Sequence, residues 1–515
     1  MFRRRFVAQS ALAAVSALAF PRVLRSAATA GSKRKPNLLV FLPDQQRADT
    51  IAPYGNGRCH APHLNRLAAQ STVFDRCYVT HPVCTPSRSS LLTGTWPHTN
   101  GCTHNNMALA PRWKTFPEML GDTDYRTAYM GKWHLGDEVF AQRGFEEWAS
   151  IEDMYQAYFS AGRDPTTISD YSKFLISRGV KTDSPDGSVS RKFASKLPIE
   201  LSKPRFLEER ACEFIERHRR DPFVLFVSFL EPHSPYHGPL NREHRDDEIE
   251  FEPTAHTTFG ADIPLRYRLK QEYLEREFGT GPDDYRETKR NYYGLVTQID
   301  RSIGGILGKL ESLGLADDTV VVHTSDHGDM MGHHRLFEKE VMFDAASRVP
   351  YLVRMPRQRR SQRVAQPVSH IDFVPTMLDL LRAKPHAQCI GRSRVPLLRG
   401  ERMPAETVFL QWSPNSGKEK VKKGTTLATA DAVTRASQES TRTAVSPDGW
   451  KLNLRDTDRP ELYHLLADPL ETQNLFDSAA HAGVRRRMTA DIVAWQEYTK
   501  DTAKLVNDSR NGSGI

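Results

Sequence analysis

A chain of 515 residues is long enough for one large domain and a smaller one with a substantial hydrophobic core. Its 39% hydrophobic and 26% charged residues are typical of a soluble globular protein. The formal net charge is +8, but residues 1–30 contain five arginines and no acidic residue, which leaves +3 for the rest. So small a positive charge argues against a nucleic-acid-binding protein.

The first thirty residues are expected to be a signal peptide. Three arginines precede an apolar, alanine-rich run from Phe6 to Phe20, and Ala28-Thr29-Ala30 offers a small-residue cleavage site. The run opens on Arg3-Arg4-Arg5-Phe6-Val7, which fits a twin-arginine pattern and predicts a periplasmic or secreted bacterial protein. An uncleaved signal anchor is the lesser alternative because the run is short for a membrane span. Residues 31–35 form a basic linker.

The cysteines are scattered along the chain, without the spacing of a disulfide framework or the C-x-x-C pair of a zinc site. We expect most of them to be buried structural thiols. The six are Cys59, Cys77, Cys84, Cys102, Cys212 and Cys389.

Apolar runs beginning at Asn37, Phe223 and Thr319 predict strands buried on both faces of a sheet, and each run ends in polar residues. Further predicted strands cover 74–79 and 349–355. Predicted helices cover 62–68, 87–93 and 284–313, and another starts at His370. Residues 140–205 have no clear pattern, and 237–283 are expected to be an irregular excursion.

Strands that alternate with helices predict an α/β fold, with a large, mostly parallel mixed sheet sandwiched by helices. A boundary is expected near Gly400. Beyond it, strands at 407–412, 450–454 and 461–465 and a helix from about 479 to 498 predict a smaller subdomain with a short antiparallel sheet. Residues 416–443 are rich in small and basic side chains, which favours a flexible loop.

Polar residues at strand ends are the candidate site residues, because open α/β sheets build sites at the carboxyl ends of their central strands. Asp44 and Gln45 follow the first strand, His233 the second and Asp326 and His327 the third. Any one of these pairs alone would more simply be a loop turn.

The run from Pro82 to Gly94, which contains Cys84-Thr85-Pro86-Ser87-Arg88, resembles the signature of the type I sulfatases of the alkaline phosphatase superfamily. In that family the Cys is converted to formylglycine. Gly131-Lys132-Trp133-His134 resembles the second signature, Gly-Lys-x-His. The order of segments resembles the superfamily from residue 36 onward. The resemblance implies a catalytic domain at 36–400 and a C-terminal subdomain at 401–515.

The resemblance also implies one divalent cation, held by Asp44, Gln45, Asp326 and His327 together with the modified residue 84. The family more often has Asp at position 45 and Asn at position 327. Hard oxygen ligands suit Ca²⁺ first and Mg²⁺ second. A histidine nitrogen is an unusual ligand for calcium, so a transition-metal ion is a further candidate for this site.

In the family, one hydroxyl of the hydrated formylglycine attacks sulfur, and the other then collapses to the aldehyde and expels sulfate. By resemblance, Arg88 would hold this group and the metal side of the site. Lys132 and Lys339 would balance the charge of the sulfate. His134 would accept a proton, and His233 or Lys339 would protonate the leaving oxygen. The implied catalytic residues are Cys84, Arg88, Lys132, His134, His233 and Lys339.

The implied function is hydrolysis of sulfate monoesters, with a sulfated carbohydrate as the favoured substrate and a small sulfated molecule as another. Phosphonate monoester or phosphodiester hydrolysis is the alternative within the same superfamily, and a glycan-binding, inactive relative is a third hypothesis. The implied partners are a formylglycine-generating or anaerobic sulfatase-maturating enzyme and the export machinery. Polar residues near the two signatures are expected to be structural rather than part of a leaving-group pocket. They are His98, His104, Asn105, Asn106 and His237.

Overall fold

In the residues that the computed structural model describes (34–279, 281–414 and 425–505), fifteen strands form three sheets. The strands are β1 (Asn37–Phe41), β2 (Thr72–Phe74), β3 (Cys77–Tyr78), β4 (Arg126–Gly131), β5 (Glu147–Ala149), β6 (Phe223–Ser228), β7 (Thr319–Thr324), β8 (Arg348–Val349), β9 (Tyr351–Arg354), β10 (Gln362–Val364), β11 (Val368–Ser369), β12 (Val408–Trp412), β13 (Thr441–Val445), β14 (Trp450–Arg455) and β15 (Glu461–His464).

Helices occur between these strands and at the end of the described chain. They are α1 (Pro62–Ala68), α2 (Cys84–Thr93), α3 (Pro97–Asn100), α4 (Phe116–Leu120), α5 (Asp170–Ser177), α6 (Arg191–Ala194), α7 (Lys203–Arg217), α8 (Leu265–Phe278), α9 (Pro282–Ser312), α10 (Asp344–Ser347), α11 (Phe373–Leu380), α12 (Val395–Leu398), α13 (Ala430–Ser437) and α14 (Ala482–Thr499).

The largest sheet has eight strands in the order β10-β2-β9-β7-β1-β6-β4-β5. At its centre β1 is parallel to both β6 and β7, with Leu39 opposite Leu225 on one side and Val321 on the other. Only β9 runs antiparallel to its neighbours, β2 and β7. The prediction of a large, mostly parallel mixed sheet is therefore confirmed.

The two faces of this sheet contribute to two separate hydrophobic cores. Leu39 and Phe41 of β1 pack in the core that contains α1, α7 and α9. Leu38 and Val40, the alternate residues of the same strand, pack in the core that contains α2, α4 and α11. Because successive side chains of a strand point to opposite faces, a strand covered on both faces must be apolar throughout.

The C-terminal part contains an antiparallel sheet in the order β12-β13-β14-β15. Leu452 and Leu454 of β14 pack against Met488 and Ile492 of α14. The predicted small sheet and terminal helix are thus confirmed. The described chain from Lys35 onward forms one compact unit, and the boundary near Gly400 stays a prediction.

Three predictions of secondary structure were wrong. The strand at 74–79 is broken at Asp75 and Arg76, and β3 pairs instead in a small sheet with β8 and β11. The supposedly irregular 237–283 contains α8, in which a narrow buried stripe that includes Tyr267 and Leu274 is obscured by many charged residues.

The supposed loop 416–443 contains α13 and β13. Polar side chains in this segment are paired rather than solvated: the Thr429 side chain caps α13, and Arg442 of β13 bonds Asp501. The content of small and basic residues, from which the loop was predicted, does not show which of these side chains form such pairs. The rest of that loop, 415–424, lies outside the described residues, as do residues 1–33 with the predicted signal peptide. In the described chain no helix is long and apolar enough to cross a membrane.

Candidate active site and metal centre

Four neighbouring strands, in the order β7-β1-β6-β4, supply the predicted site residues at their carboxyl ends. Asp44 follows β1, Lys132 follows β4, His233 lies in the loop after β6, and Asp326 follows β7. Because these strands are mutually parallel, their ends meet at one edge of the sheet. Lys132 Nζ accordingly lies 2.6 Å from Asp44 Oδ2, although the two residues are 88 positions apart.

Cys84 is the first residue of α2, three residues before the predicted start at Ser87. Val83 before it has extended backbone, and every residue of the helix is buried. Pro86 fits in the first turn, because the N–H that it lacks would have no acceptor within the helix. The Cys84 side chain therefore lies at the positive end of the helix dipole.

Three charged or titratable groups surround the thiol. Cys84 Sγ lies 3.2 Å from His327 Nε2 and 3.7 Å from both Asp44 Oδ1 and Lys132 Nζ. Burial and the Asp44 carboxylate raise the pKa of Cys84, but Lys132, Lys339 and His327 outweigh them and leave that pKa below its usual value. The pocket thus stabilises negative charge at position 84.

Arg88 joins the two carboxylates from one side. Its Nε donates to Asp326 Oδ2 at 2.8 Å and its Nη2 to Asp44 Oδ2 at 3.1 Å, while Nη1 donates to the Lys132 carbonyl and to Ser228 Oγ. The side chain is completely buried. Arg88 therefore fixes the Oδ2 atom of each carboxylate.

The opposite carboxylate oxygens face a histidine. Asp44 Oδ1 and Asp326 Oδ1 each lie 3.7 Å from His327 Nε2. His327 Nδ1 lies 2.9 Å from the Gly328 carbonyl oxygen, which requires a proton on Nδ1 and leaves Nε2 as the ligating atom of the neutral ring. Although burial opposes a charged ring, Asp326 and Cys84 raise the pKa of His327 to about 9.

This donor set fits a cation. One ligand atom from each of four buried residues, Asp44, Cys84, Asp326 and His327, lies within 4.8 Å of the other three. Two of the residues are acidic, and the raised pKa of His327 reports the same preference for positive charge at this place. The set combines hard carboxylate oxygens with one histidine nitrogen and the sulfur of Cys84.

Gln45 lies beside this set in a left-handed backbone conformation, with φ of 71°. Its backbone N–H donates to Asp326 Oδ1 at 3.0 Å. Its side-chain oxygen accepts from Lys339 Nζ at 2.6 Å, and its amide nitrogen donates to Asp329 and Tyr236. A residue other than glycine in this conformation is uncommon and occurs where neighbouring contacts hold it.

Asp329 and Tyr236 complete this arrangement and were missed by sequence reasoning. Asp329 is buried and accepts from Gln45 Nε2, from Tyr236 Oη at 2.6 Å and from the backbone N–H groups of Met331 and Glu338. The run Asp326-His327-Gly328-Asp329 contained a signal, since a second carboxylate three residues after a candidate ligand lies near the same strand end.

Gly131 explains how Lys132 enters the site. A Cβ atom at Gly131 would lie 1.8 Å from the Ser228 carbonyl oxygen, and its φ is +114°. The Lys132 N–H donates to that same carbonyl at 2.9 Å. Only glycine allows this close approach of β4 to β6, which directs Lys132 toward Asp44.

His134 is held on three sides. Its Nε2 lies 2.7 Å from Asn106 Oδ1, its ring lies 4.6 Å from the Tyr155 ring between centroids, and its backbone N–H donates to Glu138. Its Nδ1 has no hydrogen-bond partner in the described chain. Burial and the charge of Lys132 hold the pKa of His134 well below its usual value, so the ring is neutral and able to accept a proton.

His233 and Lys339, the second pair of candidate proton-transfer residues, contact each other. Lys339 Nζ lies 2.7 Å from His233 Nε2, and His233 Nδ1 lies 2.7 Å from the Ser234 carbonyl oxygen. Burial and Lys339 lower the pKa of His233 well below its usual value. All predicted site residues therefore lie in one site.

The polar residues expected to be structural have several roles. Asn106 bonds His134 directly, so that expectation overlooked a residue that orients a candidate base. Asn105 Oδ1 accepts from the Thr85 N–H in the first turn of α2. His98 instead contacts Gln411 of β12 and the Thr499 carbonyl oxygen at the end of α14.

The comparisons with known proteins agree with this geometry. The family model described as Sulfatase matches residues 36–383. The N-acetylglucosamine-6-O-sulfatase of Bacteroides thetaiotaomicron is 24% identical over 535 residues, which cover 91% of this chain and 87% of that protein.

Two solved structures have a similar fold. One, in complex with its substrate D-glucosamine-2-N,6-O-disulfate, has a TM-score of 0.69 and 22% identity, with coverage of 91% of this chain and 99% of the other. The phosphonate monoester hydrolase from Silicibacter pomeroyi has a TM-score of 0.73 and 20% identity, with coverage of 90% and 96%. At such identities the likeness concerns the fold.

Proposed function

Because this chain belongs to the sulfatase family, we propose that it hydrolyses sulfate monoesters of a carbohydrate at the site that contains Cys84. It is a sulfuric ester hydrolase, as its family and its named sulfatase relatives are. The carbohydrate substrate, the identity of the cation and the roles of the individual residues are the proposal. The observation that carries the cation and the residue roles is the meeting of Cys84, two carboxylates and His327 within 4.8 Å.

Asp44, Asp326, His327 and the modified residue 84 would hold one divalent cation, Ca²⁺ in the first place and Mg²⁺ in the second. Gln45 would join them through its Oε1, which already accepts from Lys339. The bound cation supplies positive charge to the sulfate oxygens. Arg88 keeps both carboxylates in position through their Oδ2 atoms, so their Oδ1 atoms stay available.

A maturation enzyme would convert Cys84 to formylglycine, which supplies a hydrated aldehyde as an oxygen nucleophile. The chain's own contribution at this position is a site that favours negative charge, because Lys132 and the start of α2 both face residue 84. Lys132 would then lie beside the sulfate, and Lys339 would add a second positive charge.

Two histidines would move protons at defined atoms. The unpartnered Nδ1 of His134 would accept a proton from residue 84, while Asn106 holds the ring through Nε2. Nε2 of neutral His233 accepts from Lys339 Nζ, so the proton for the leaving oxygen would come from Lys339, directly or by transfer through His233 Nε2. Both rings are neutral at neutral pH, since burial lowers both pKa values.

Support for a carbohydrate substrate comes from relatives whose names include N-acetylglucosamine-6-O-sulfatase and ulvan-active sulfatase. The alternative is a phosphonate monoester substrate, since two structural neighbours are phosphonate monoester hydrolases. Export through the twin-arginine machinery and maturation of Cys84 complete the proposal.

The test measures kcat/KM of the matured protein on an aryl sulfate, an aryl phosphonate monoester and a panel of sulfated sugars. We expect the sulfate esters to be the faster class, with at least one sulfated sugar among the best substrates. A chelator should abolish turnover and added Ca²⁺ should restore it. A higher kcat/KM on the phosphonate would overturn the substrate assignment in favour of the alternative.

A further inference from the structure

Arg191, the first residue of α6, is linked by contacts to a candidate proton-transfer histidine. Its Nη2 donates to Tyr155 Oη at 2.8 Å, and the Tyr155 ring contacts the His134 ring in a tilted arrangement, with 4.6 Å between centroids. At the other end of α6, the Ser195 carbonyl lies 3.1 Å from Nδ1 of His237, which follows the His233 loop. The short helix α6 therefore connects the surroundings of both candidate proton-transfer histidines.

The guanidinium of Arg191 is held by Glu152. Nε donates to Glu152 Oε2 at 2.6 Å, and Nη2 bonds the same oxygen. The other oxygen of Glu152 bonds Lys203 Nζ, so this single carboxylate serves two cations. Glu231, the next acid in that neighbourhood, has a pKa raised to about 7 by burial and an Oε2 atom without a partner in the described chain.

This arrangement leaves one positive charge without a balancing negative charge. Lys203 and Arg191 carry two charges, and Glu152 balances one of them. Since Lys203 already neutralises Glu152, Arg191 is not needed to satisfy that carboxylate.

Arg191 also keeps a free donor. Nε and Nη2 are occupied by Glu152 and Tyr155, whereas no described residue accepts a hydrogen bond from Nη1. The side chain is 18% exposed, so solvent or a ligand reaches the guanidinium even though most of it is enclosed. Its charge lowers the pKa of Lys132, His134 and His233, which places it within electrostatic reach of the catalytic centre.

We propose that Arg191 binds a second anionic substituent, a carboxylate or a further sulfate, on the sugar that carries the scissile sulfate. This role rests on the proposed function. The held guanidinium with its free Nη1 is ordered before the substrate arrives, so little side-chain entropy is lost when the anion binds. Arg191 thus selects doubly charged sugars and takes no part in the chemistry at sulfur.

The test compares kcat/KM on matched sulfated sugars that differ only in the second substituent: uncharged, carboxylate or sulfate. A hydrogen bond between two charged groups contributes about 1.5–3 kcal/mol, so the wild type should favour a charged substituent by about tenfold or more. Arg191→Gln should remove most of this preference, chiefly through KM, and Arg191→Lys should keep part of it. A comparison of kcat/KM between the sugar with a carboxylate and the sugar with a second sulfate shows which anion the site prefers.

Arg178→Gln is the matched control, because Arg178 is a half-exposed arginine of the same region that pairs with Glu209. Its selectivity should equal that of the wild type. Equal losses by Arg191→Gln on charged and uncharged sugars would place Arg191 at the scissile sulfate and overturn the proposal. So would a wild type without preference, a result that needs no variant to fold. A wild type that cleaves no sulfate ester would instead overturn the proposed function.

Discussion

The active centre and the charge network beside the C-terminal sheet both bury charged side chains completely, but they arrange them differently. In the network, Arg455 lies between Glu439 and Glu461, and Arg266 adds a contact to Glu439 at 3.3 Å. Charges of opposite sign alternate, so each carboxylate contacts a guanidinium. Each buried charge of this network is therefore paired with a charge of opposite sign inside the network.

In the active centre, charges of the same sign converge. The Oδ1 atoms of Asp44 and Asp326 turn toward one histidine nitrogen, while Arg88 holds the other oxygen of each. Lys132 Nζ lies 3.7 Å from Cys84 Sγ, and the charges of Lys132 and Lys339 both lower the pKa of that thiol. The comparison shows two uses of buried charge. Where charges of opposite sign alternate, they stabilise the fold; where like charges lie close together, they can bind an ion of opposite sign, a cation at the carboxylates and an anion at the lysines.

The largest expected effect comes from removing one of the two carboxylates, Asp44 and Asp326, that face His327. Asp326→Asn removes one of the two carboxylates, so we expect kcat/KM on a sulfate ester to fall by more than about 1,000-fold. Added Ca²⁺ should raise the melting temperature of the wild type, and this rise should be lost in the variant. Steady-state kinetics and thermal unfolding with and without Ca²⁺ measure both.

Asp317→Asn is the control for that variant. Asp317 precedes the opposite end of β7 and pairs with Arg359 at the surface. It should keep both the activity and the response to Ca²⁺. An Asp326→Asn enzyme with normal activity would show that the carboxylates do not form a metal centre.

A substitution in the alternating network should lower the stability of the protein rather than its activity. Arg455→Ala leaves Glu439 and Glu461 buried without their shared partner, which should cost about 3–5 kcal/mol of unfolding free energy. Denaturant unfolding gives this value, and kcat per folded molecule should remain near that of the wild type. Arg459→Ala, at a half-exposed position four residues on, should change stability by less than about 0.5 kcal/mol. A comparable loss in both variants would refute the distinction between paired and exposed charges.

A smaller effect is expected at Asp501, whose pKa Arg442 lowers to about 2 against the opposing effect of burial. Because the folded-state pKa lies below the unfolded one, the stabilisation is present above the unfolded pKa and decreases as pH falls toward 2. Asp501→Asn should therefore cost about 2 kcal/mol at pH 7 and about half of that at pH 3. A cost that does not depend on pH would contradict the ion pair as its source.

Sequence reasoning found the site because its residues follow apolar strands in short motifs. Asp44 and Asp326 come directly after strands whose uninterrupted apolar character predicts the centre of a sheet. Lys132 was found instead through the resemblance of its segment to the Gly-Lys-x-His signature. Strand position alone would have left each pair as a simple loop turn, so the assignment of these residues depended on the motifs taken together.

The residues that the sequence did not reveal act through contacts between distant segments. Asn106 orients His134, and Arg191 reaches the site from a segment without a clear pattern. Asp329 holds Gln45 from 284 positions away. Neither composition nor periodicity reports such contacts, since both describe neighbours along the chain rather than in space.

The most direct test of the central claim is mass spectrometry of the peptide that contains Cys84, combined with aryl sulfate hydrolysis by the same sample. The wild type, co-expressed with a maturation enzyme, should contain the aldehyde at position 84, and activity should scale with the converted fraction. Cys84→Ala should fold normally and have no activity. Full activity in a sample whose Cys84 is entirely an unmodified thiol would contradict the account.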